Sequence, residues 1–496
     1  MEYRSTRSDG YRVSGARAVL EGLAPDGGLY LPVRLPQFDW EDCLKKDTQG
    51  MAAQILHALL PDIPDMEDLV RRAYAGKFET ESLTPTVKAG PFTVLELFRG
   101  PTSAFKDVAL CMLPQLMTAA KAVQGEEKDI RILTATSGDT GKAALEGFQD
   151  VPGTSICVFY PDGGVSAVQR AQMVTQEGRN VTVAAVRGDF DDVQSGVKHI
   201  FNACRGRDLP VVLSSANSIN IGRLAPQITY YFKAYRDLLD RGEITLGDQV
   251  NFSVPTGNFG DILAGYLAKK LGLPVGKLVC ASNSNNVLTE FLQTGRYNRI
   301  RILYKTQSPS MDILVSSNLE RLLYLMSGDC GLVKELMEQL DAHGRYHVPP
   351  YLLTRIQNQF WGSACGDLSA LETIGRVWKD HRYLMDTHTA AGWLAAERYV
   401  NKTSDKRPMV VLSTASPYKF PAAVLRALTV PGDEDLLKRA LHLLKNPQGD
   451  EFAMMERLEE MTGVPMPANL RGLREKPERH TTVVGKEEML TFVLGL

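Results

Sequence analysis

The chain lacks any apolar run long enough to cross a bilayer; its most hydrophobic stretches, such as Met409-Val410-Val411-Leu412, are short and read as buried strands. Met1 to Gly10 are polar and of mixed charge, without the apolar core of an export signal, so a soluble, cytoplasmic protein is expected. Charge of one sign is lacking too. The 56 Lys and Arg against 58 Asp and Glu leave a formal charge of -2, which gathers neither nucleic acid nor an anionic membrane surface, so any anion site must be local. Neither nucleic acid nor membrane is expected as a partner, and no obligate protein partner is evident. Cysteine is sparse: Cys43, Cys111, Cys157, Cys204, Cys280, Cys330 and Cys365 are odd in number and contain no C-x-x-C pair. That fits structural thiols in a reducing compartment and excludes a disulfide framework. Histidine offers no metal site. The nearest couple, His343 and His347, has the i, i+4 spacing that binds zinc on a helix, but Gly344 and Val348-Pro349-Pro350 make the stretch read as a loop.

At 496 residues the chain exceeds what one hydrophobic core supports, so two or more packed units are expected. From about Asp129 onward, short β-branched runs alternate with helical patterns. Strands are expected at Ile130 to Thr134, Ile156 to Tyr160, Val181 to Val186, Val211 to Ser214, Asn251 to Val254, Lys277 to Ala281 and Met409 to Ser413. Helices fill most of the gaps, notably Ile228 to Leu239 and Ile262 to Leu271. Parallel strands joined by helices bury both faces of the sheet, which predicts a three-layer, doubly wound α/β architecture with ligands at the C-terminal strand ends. Residues 1–90 lack this alternation and read as a small helical N-terminal domain with an irregular start. Residues 91–130 and 215–430 form the expected large domain, with a helical insertion near 297–382. Residues 131–214 form a small α/β domain, and 431–496 a C-terminal helical segment.

Four segments can carry chemistry. After the strand at Asn251 comes Pro255-Thr256-Gly257-Asn258-Phe259-Gly260-Asp261 and then an apolar helix. A glycine-bearing turn feeding a helix start aims several backbone N–H groups at one point, which suits a phosphate; the alternative is a bare structural turn. It has neither the lysine of a Walker loop nor the spacing of a dinucleotide fingerprint. Thr136-Ser137-Gly138-Asp139-Thr140-Gly141 follows the first strand of the alternating region and is able to hold a second anion such as a carboxylate; alternatively Ser137 or Asp139 caps the helix. Phe105-Lys106-Asp107 precedes the apolar run from Val108 to Leu113. Burial and the positive end of a helix both lower a lysine pKa, and imine formation with an aldehyde needs the neutral amine. Judged alone, Lys106 reads more readily as a solvated surface residue. Lastly, Ser413-Thr414-Ala415-Ser416 sets hydroxyls at the exit of a buried strand, where one can meet a pyridine nitrogen or merely end the strand in a turn.

In combination these segments resemble the threonine synthases, a family of pyridoxal-phosphate enzymes of fold type II, nearly end to end. The marks are Ala18-Val19-Leu20-Glu21-Gly22-Leu23-Ala24-Pro25-Asp26-Gly27-Gly28-Leu29-Tyr30, Gly100-Pro101-Thr102 with Phe105-Lys106-Asp107, Thr136 to Gly141, Asn217-Ser218-Ile219-Asn220, Pro255 to Asp261, and Ser308-Pro309-Ser310-Met311-Asp312-Ile313. The resemblance implies that Lys106 holds pyridoxal 5'-phosphate as a Schiff base and moves protons. It implies that Gly257, Asn258, Phe259, Gly260 and Asp261 surround the cofactor phosphate, and that Thr414 faces the pyridine nitrogen. Ser137, Gly138, Asp139 and Thr140 would receive the substrate carboxylate, and Asn217, Ser218 and Arg223 the substrate phosphate. The implied reaction converts O-phosphohomoserine and water to threonine and phosphate. The alternatives are a phospholyase that releases 2-oxobutyrate and a silent binding protein on the same fold. The sequence departs from the commonest family pattern at Ser416, where histidine is usual, at Arg99, at Thr387 and at Lys142.

Overall fold

The computed structural model describes every residue except Ser137 and the stretch 430–448, of which only Lys438 and His442 are described. The β-branched runs pair into two separate sheets. The larger has the strand order Phe360–Ala364, Val275–Ser282, Val250–Pro255, Met409–Ser413, Phe92–Glu96, Thr86–Ala89. All neighbours in it are parallel except the last pair, an antiparallel hairpin at one edge. The smaller sheet, Val483–Val484, Val181–Val186, Thr154–Pro161, Asp129–Ala135, Val211–Ser214, is parallel throughout.

Both sheets are covered on both faces, as parallel strands require. Along Met409–Ser413, Val410 and Leu412 enter one apolar core with Ile262, Leu263 and Ala264, whereas Met409 and Val411 enter another with Ala390, Ala391 and Trp393. In the smaller sheet Ile132 and Val158 pack against Ala144 and Phe148, while Leu133 and Phe159 pack on the opposite face against Val193, Val197 and Met489. The predicted three-layer α/β arrangement is therefore present twice. Among the described residues no helix is long and apolar enough to cross a membrane.

Several expectations need correction. The N-terminal region is not purely helical, because Arg12–Ser14, Glu2–Ser5 and Tyr30–Pro32 form a three-stranded antiparallel sheet. Strands of three or four residues are too short for alternation to show. The stretch read as a helical insertion near 297–382 contains Phe360–Ala364, an edge strand of the large sheet, and the C-terminal segment read as helical lends Val483–Val484 to the smaller one. His343 and His347 do not lie in a loop; the first ends the helix Cys330–His343 and the second belongs to the strand Arg345–His347.

The two sheets are joined by close helix packing. The helix Lys106–Gln124 crosses the helix Asp139–Phe148 at Gly147, where a Cβ would sit 2.0 Å from the Leu110 carbonyl oxygen. Only a glycine permits that approach, and it sets the helix that begins at Lys106 against the helix that begins at Asp139.

Candidate active site

The predicted residues gather where strands of both sheets end. Lys106 opens its helix and is 7% exposed. Its Nζ lies 3.7 Å from Asp139 Oδ2, donates to Ser310 Oγ at 3.4 Å and stands 4.9 Å from the centre of the Phe105 ring. Burial is the main cause that brings its pKa down to about 8; Lys419 and Arg223 add to the fall, and Asp139 and Asp107 oppose it. Asp139 behaves oppositely. Burial would raise it, but Lys419 and Lys106 nearby, with hydrogen bonds from Lys419 and Gln169, hold it well below the usual carboxylate range. Asp107 accepts from the Thr102 N–H at 2.9 Å and from the Thr102 hydroxyl, and burial raises it to about 6.

The loop after Val250–Pro255 has the form its glycines predict. Phe259 adopts the left-handed conformation with φ 63°, and the helix Gly260–Lys270 starts directly behind it. None of the backbone N–H groups of Gly257, Asn258, Phe259, Gly260 and Asp261 has a protein acceptor among the described residues. Five such donors around one turn fit a phosphate. The carbonyls face the other way: those of Gly257 and Asn258 accept from Ser316 Oγ at 2.9 Å and from the Asn318 N–H at 3.0 Å. The side chain of Asp261 is committed elsewhere. Its Oδ1 accepts from the Tyr230 hydroxyl at 2.6 Å and the Tyr231 hydroxyl at 2.9 Å, and burial raises its pKa to about 6. Only its N–H is therefore offered to an anion.

Thr414 leaves the strand Met409–Ser413, and its carbonyl accepts from the Phe105 N–H at 2.8 Å, which ties it to the residue before Lys106. Its hydroxyl has no protein partner among the described residues and is available to a ring nitrogen. In the loop from Thr136, the Thr136 hydroxyl accepts from the N–H groups of Gly138 and Gly141 at 3.0 and 2.9 Å. Gly138 caps the helix Asp139–Phe148 without a side-chain hydrogen bond, so Asp139 does not act as the cap; its carboxylate turns to the lysines instead. Thr140 is half-buried, and Ser137 lies outside the described residues. Asn217 is exposed and Ser218 half-buried. Arg223 is 6% exposed, donates through Nη1 to the Ala216 carbonyl at 2.7 Å, and has no carboxylate within ion-pair distance among the described residues. Burial alone lowers its pKa to about 10. A buried cation without a partner is costly unless an anion joins it.

The structure adds residues that local reading did not select. The Ser310 N–H donates to His388 Nε2 at 3.1 Å, and His388 Nδ1 lies 2.6 Å from Asp386 Oδ2, which leaves the proton on Nδ1. Asp386 and His388 thus hold the Ser310 turn against Lys106. That turn also abuts the phosphate loop, since a Cβ on Gly257 would stand 2.7 Å from the Ser310 carbonyl oxygen. Both stretches were visible as motifs of the resemblance, but nothing local tied them to Lys106. Arg321 and Asn318 carried no signal. Buried Arg321 donates to the Tyr30 carbonyl at 3.0 Å, and to the Ile219 carbonyl and Asn318 Oδ1 at 2.5 Å; Asn318 Nδ2 donates to the Ser218 carbonyl at 3.0 Å. They join the N-terminal region, the Asn217 loop and the phosphate loop. Of the departures, Arg99 pairs with Glu96 and Glu79, and Lys142 with Glu146 and Gln176. Ser416 accepts from the Tyr418 N–H at 3.3 Å.

A buried lysine whose pKa is lowered, a cradle of unpaired N–H groups and a free hydroxyl at the exits of parallel strands define a pyridoxal-phosphate-dependent enzyme. The family described as "Pyridoxal-phosphate dependent enzyme" matches residues 78–415. Residues 2–74 match "Threonine synthase N terminus" and residues 389–493 "Threonine synthase, C-terminal", and the chain belongs to the threonine synthase family. It is 40% identical over 438 residues to threonine synthase of Pseudomonas aeruginosa, with 86% of this chain and 90% of that protein covered. It is 39% identical over 451 residues to threonine synthase-like 1 of Macaca fascicularis, covering 86% of this chain but 60% of that longer relative. The crystal structure of PLP-bound threonine synthase from Brucella melitensis superposes with a TM-score of 0.85 at 38% identity, over 100% of this chain and 98% of that one.

Proposed function

We propose that this protein converts O-phospho-L-homoserine and water to L-threonine and phosphate, with Lys106 as the amine that binds the cofactor. The observation that carries the substrate class is Arg223, a buried guanidinium with no carboxylate partner among the described residues, close enough to Lys106 to depress its pKa. Lys106, Lys419 and Arg223 outnumber the two carboxylates, Asp139 and Asp107, at this point, and that excess favours a substrate carrying phosphate. Pyridoxal phosphate, when bound, supplies an electron sink for the substrate α-carbon. Lys106 then removes the α-proton and returns protons later in the cycle. The N–H groups of Asp139 and Thr140, at the helix start behind Gly138, receive the substrate carboxylate, while Arg223, with Asn217 and Ser218, grips the γ-phosphate and stabilises it as it departs. Water adds at the β-carbon to complete threonine. The seven free thiols suit the reducing cytoplasm as its place of action.

Incubation of the cofactor-loaded protein with O-phosphohomoserine should yield threonine and phosphate in equal amounts. 2-Oxobutyrate and ammonia as the main products would assign a phospholyase instead, and absence of turnover would overturn both readings. A second test concerns the phosphate loop. Gly257→Val meets the Ser310 carbonyl and displaces backbone on both sides of the site, at a cost of about 1–3 kcal/mol. It should weaken retention of pyridoxal phosphate by roughly tenfold or more. Gly260→Ala is the control, because its Cβ would lie 3.4 Å from Asn318 Nδ2, an ordinary contact. Equal retention by Gly257→Val and the parent in an absorbance titration would give the loop another task.

A further inference from the structure

Lys419 is fully buried, and the reaction outlined above assigns it no step. Its Nζ lies 2.7 Å from Asp139 Oδ1 and donates to the Thr102 carbonyl at 3.0 Å. Gln169 Nε2 also donates to Oδ1, at 3.0 Å, while Oδ2 of the same carboxylate stands 3.7 Å from Lys106 Nζ. One carboxylate is thus shared by two buried ammonium groups, and the nearer is Lys419. Thr102, the other anchor of Lys419, is held through its N–H and hydroxyl by Asp107, the residue after Lys106. The contacts close a ring through Lys106, Asp139, Lys419, Thr102 and Asp107.

Such a ring balances two opposing effects. A lone buried carboxylate beside Lys106 would bind its ammonium form tightly and keep it protonated. A second cation on that carboxylate removes most of this attraction and adds repulsion of its own. We infer that Lys419 is a positioning residue for the reactive amine: by engaging Asp139 and the Thr102 carbonyl it keeps the carboxylate from capturing Lys106, which is left free to give up its proton near neutral pH. This rests on the reading that Lys106 is the reactive amine. The other groups around it do not account for the balance alone. Arg223 acts in the same sense as Lys419, Asp107 opposes it while itself held by Thr102, and Ser310 and the Phe105 ring are uncharged.

The test is the pH dependence of Lys106 acetylation by acetic anhydride in the full-length, cofactor-free chain, read by mass spectrometry. In Lys419→Met the midpoint for Lys106 should move in the alkaline direction by about one pH unit. Lys419→Arg, which keeps the charge, should stay near the parent, and Asp139→Asn should move the midpoint in the acid direction. In the cofactor-loaded protein the absorbance of the bound chromophore should titrate with the same ordering. An unmoved midpoint in Lys419→Met overturns the inference. If that variant does not fold, an unmoved midpoint in Asp139→Asn overturns it equally. Borohydride reduction of the loaded parent separates the two readings: label on another lysine defeats the role of Lys106, whereas label on Lys106 with unmoved midpoints defeats only the role of Lys419.

Discussion

Lys106→Ala will lose at least about a thousandfold in kcat for O-phosphohomoserine, because in the proposed reaction one substitution removes both the amine that binds the cofactor and the group that moves the proton at the α-carbon. The size of the effect follows from the state of that amine. With its pKa lowered to about 8 from 10.5, about a tenth of it is neutral at pH 7, against roughly one part in three thousand for an unperturbed lysine. No other described lysine near the site has this combination. The amine of Lys142 is taken by Glu146 at 2.9 Å and by Gln176, and that of Lys419 by Asp139 and the Thr102 carbonyl. Borohydride reduction of the loaded protein should accordingly fix the pyridoxyl group to the peptide containing Lys106. Recovery of the label on Lys142 or Lys419 would overturn the assignment, as would substantial turnover by the alanine variant.

Arg223→Leu should lose ten- to hundredfold in kcat/KM while the protein keeps its bound cofactor and its colour. A charge-assisted contact to phosphate contributes roughly 1.5–3 kcal/mol, which is a loss of that order. The figure is a lower bound for two reasons. The Arg223 guanidinium also anchors the Ala216 carbonyl at 2.7 Å, so leucine loosens the loop that presents Asn217 and Ser218. The chain moreover has no general positive field to replace a lost local cation. Lysine should restore only part of the activity, since a point charge cannot reproduce the paired hydrogen bonds of a guanidinium. Unchanged kinetics in the leucine variant would mean that other groups bind the phosphate, and loss of cofactor would mean that Arg223 serves the fold.

Reading the fold from the sequence succeeded where strands were long and β-branched, as at Ile130 to Thr134 and Met409 to Ser413. It failed at Glu2–Ser5 and Tyr30–Pro32, which are too short to display a period, and at Phe360–Ala364, where Trp361, Gly362 and Ser363 blur the pattern of a buried strand. Within the site, the turn at Gly257 to Asp261 was legible because a glycine turn before a helix start has a local cause. That Asp261 turns its carboxylate to Tyr230 and Tyr231 was not, since those tyrosines lie some thirty residues earlier and nothing in the loop announces them.

The sequence by itself determined the parallel α/β character of this protein, the loops able to hold anions, and the residue types present at the ends of the strands. These depend on neighbours along the chain, through backbone geometry and the periodicity of apolar side chains. Only the tertiary structure decided which groups surround the amine of Lys106 and bias its protonation. Desolvation and Coulomb interaction act across a few ångströms of space, and the partners that matter to Lys106 are Asp139, Arg223, Ser310 and Lys419, the last more than three hundred residues further along the chain.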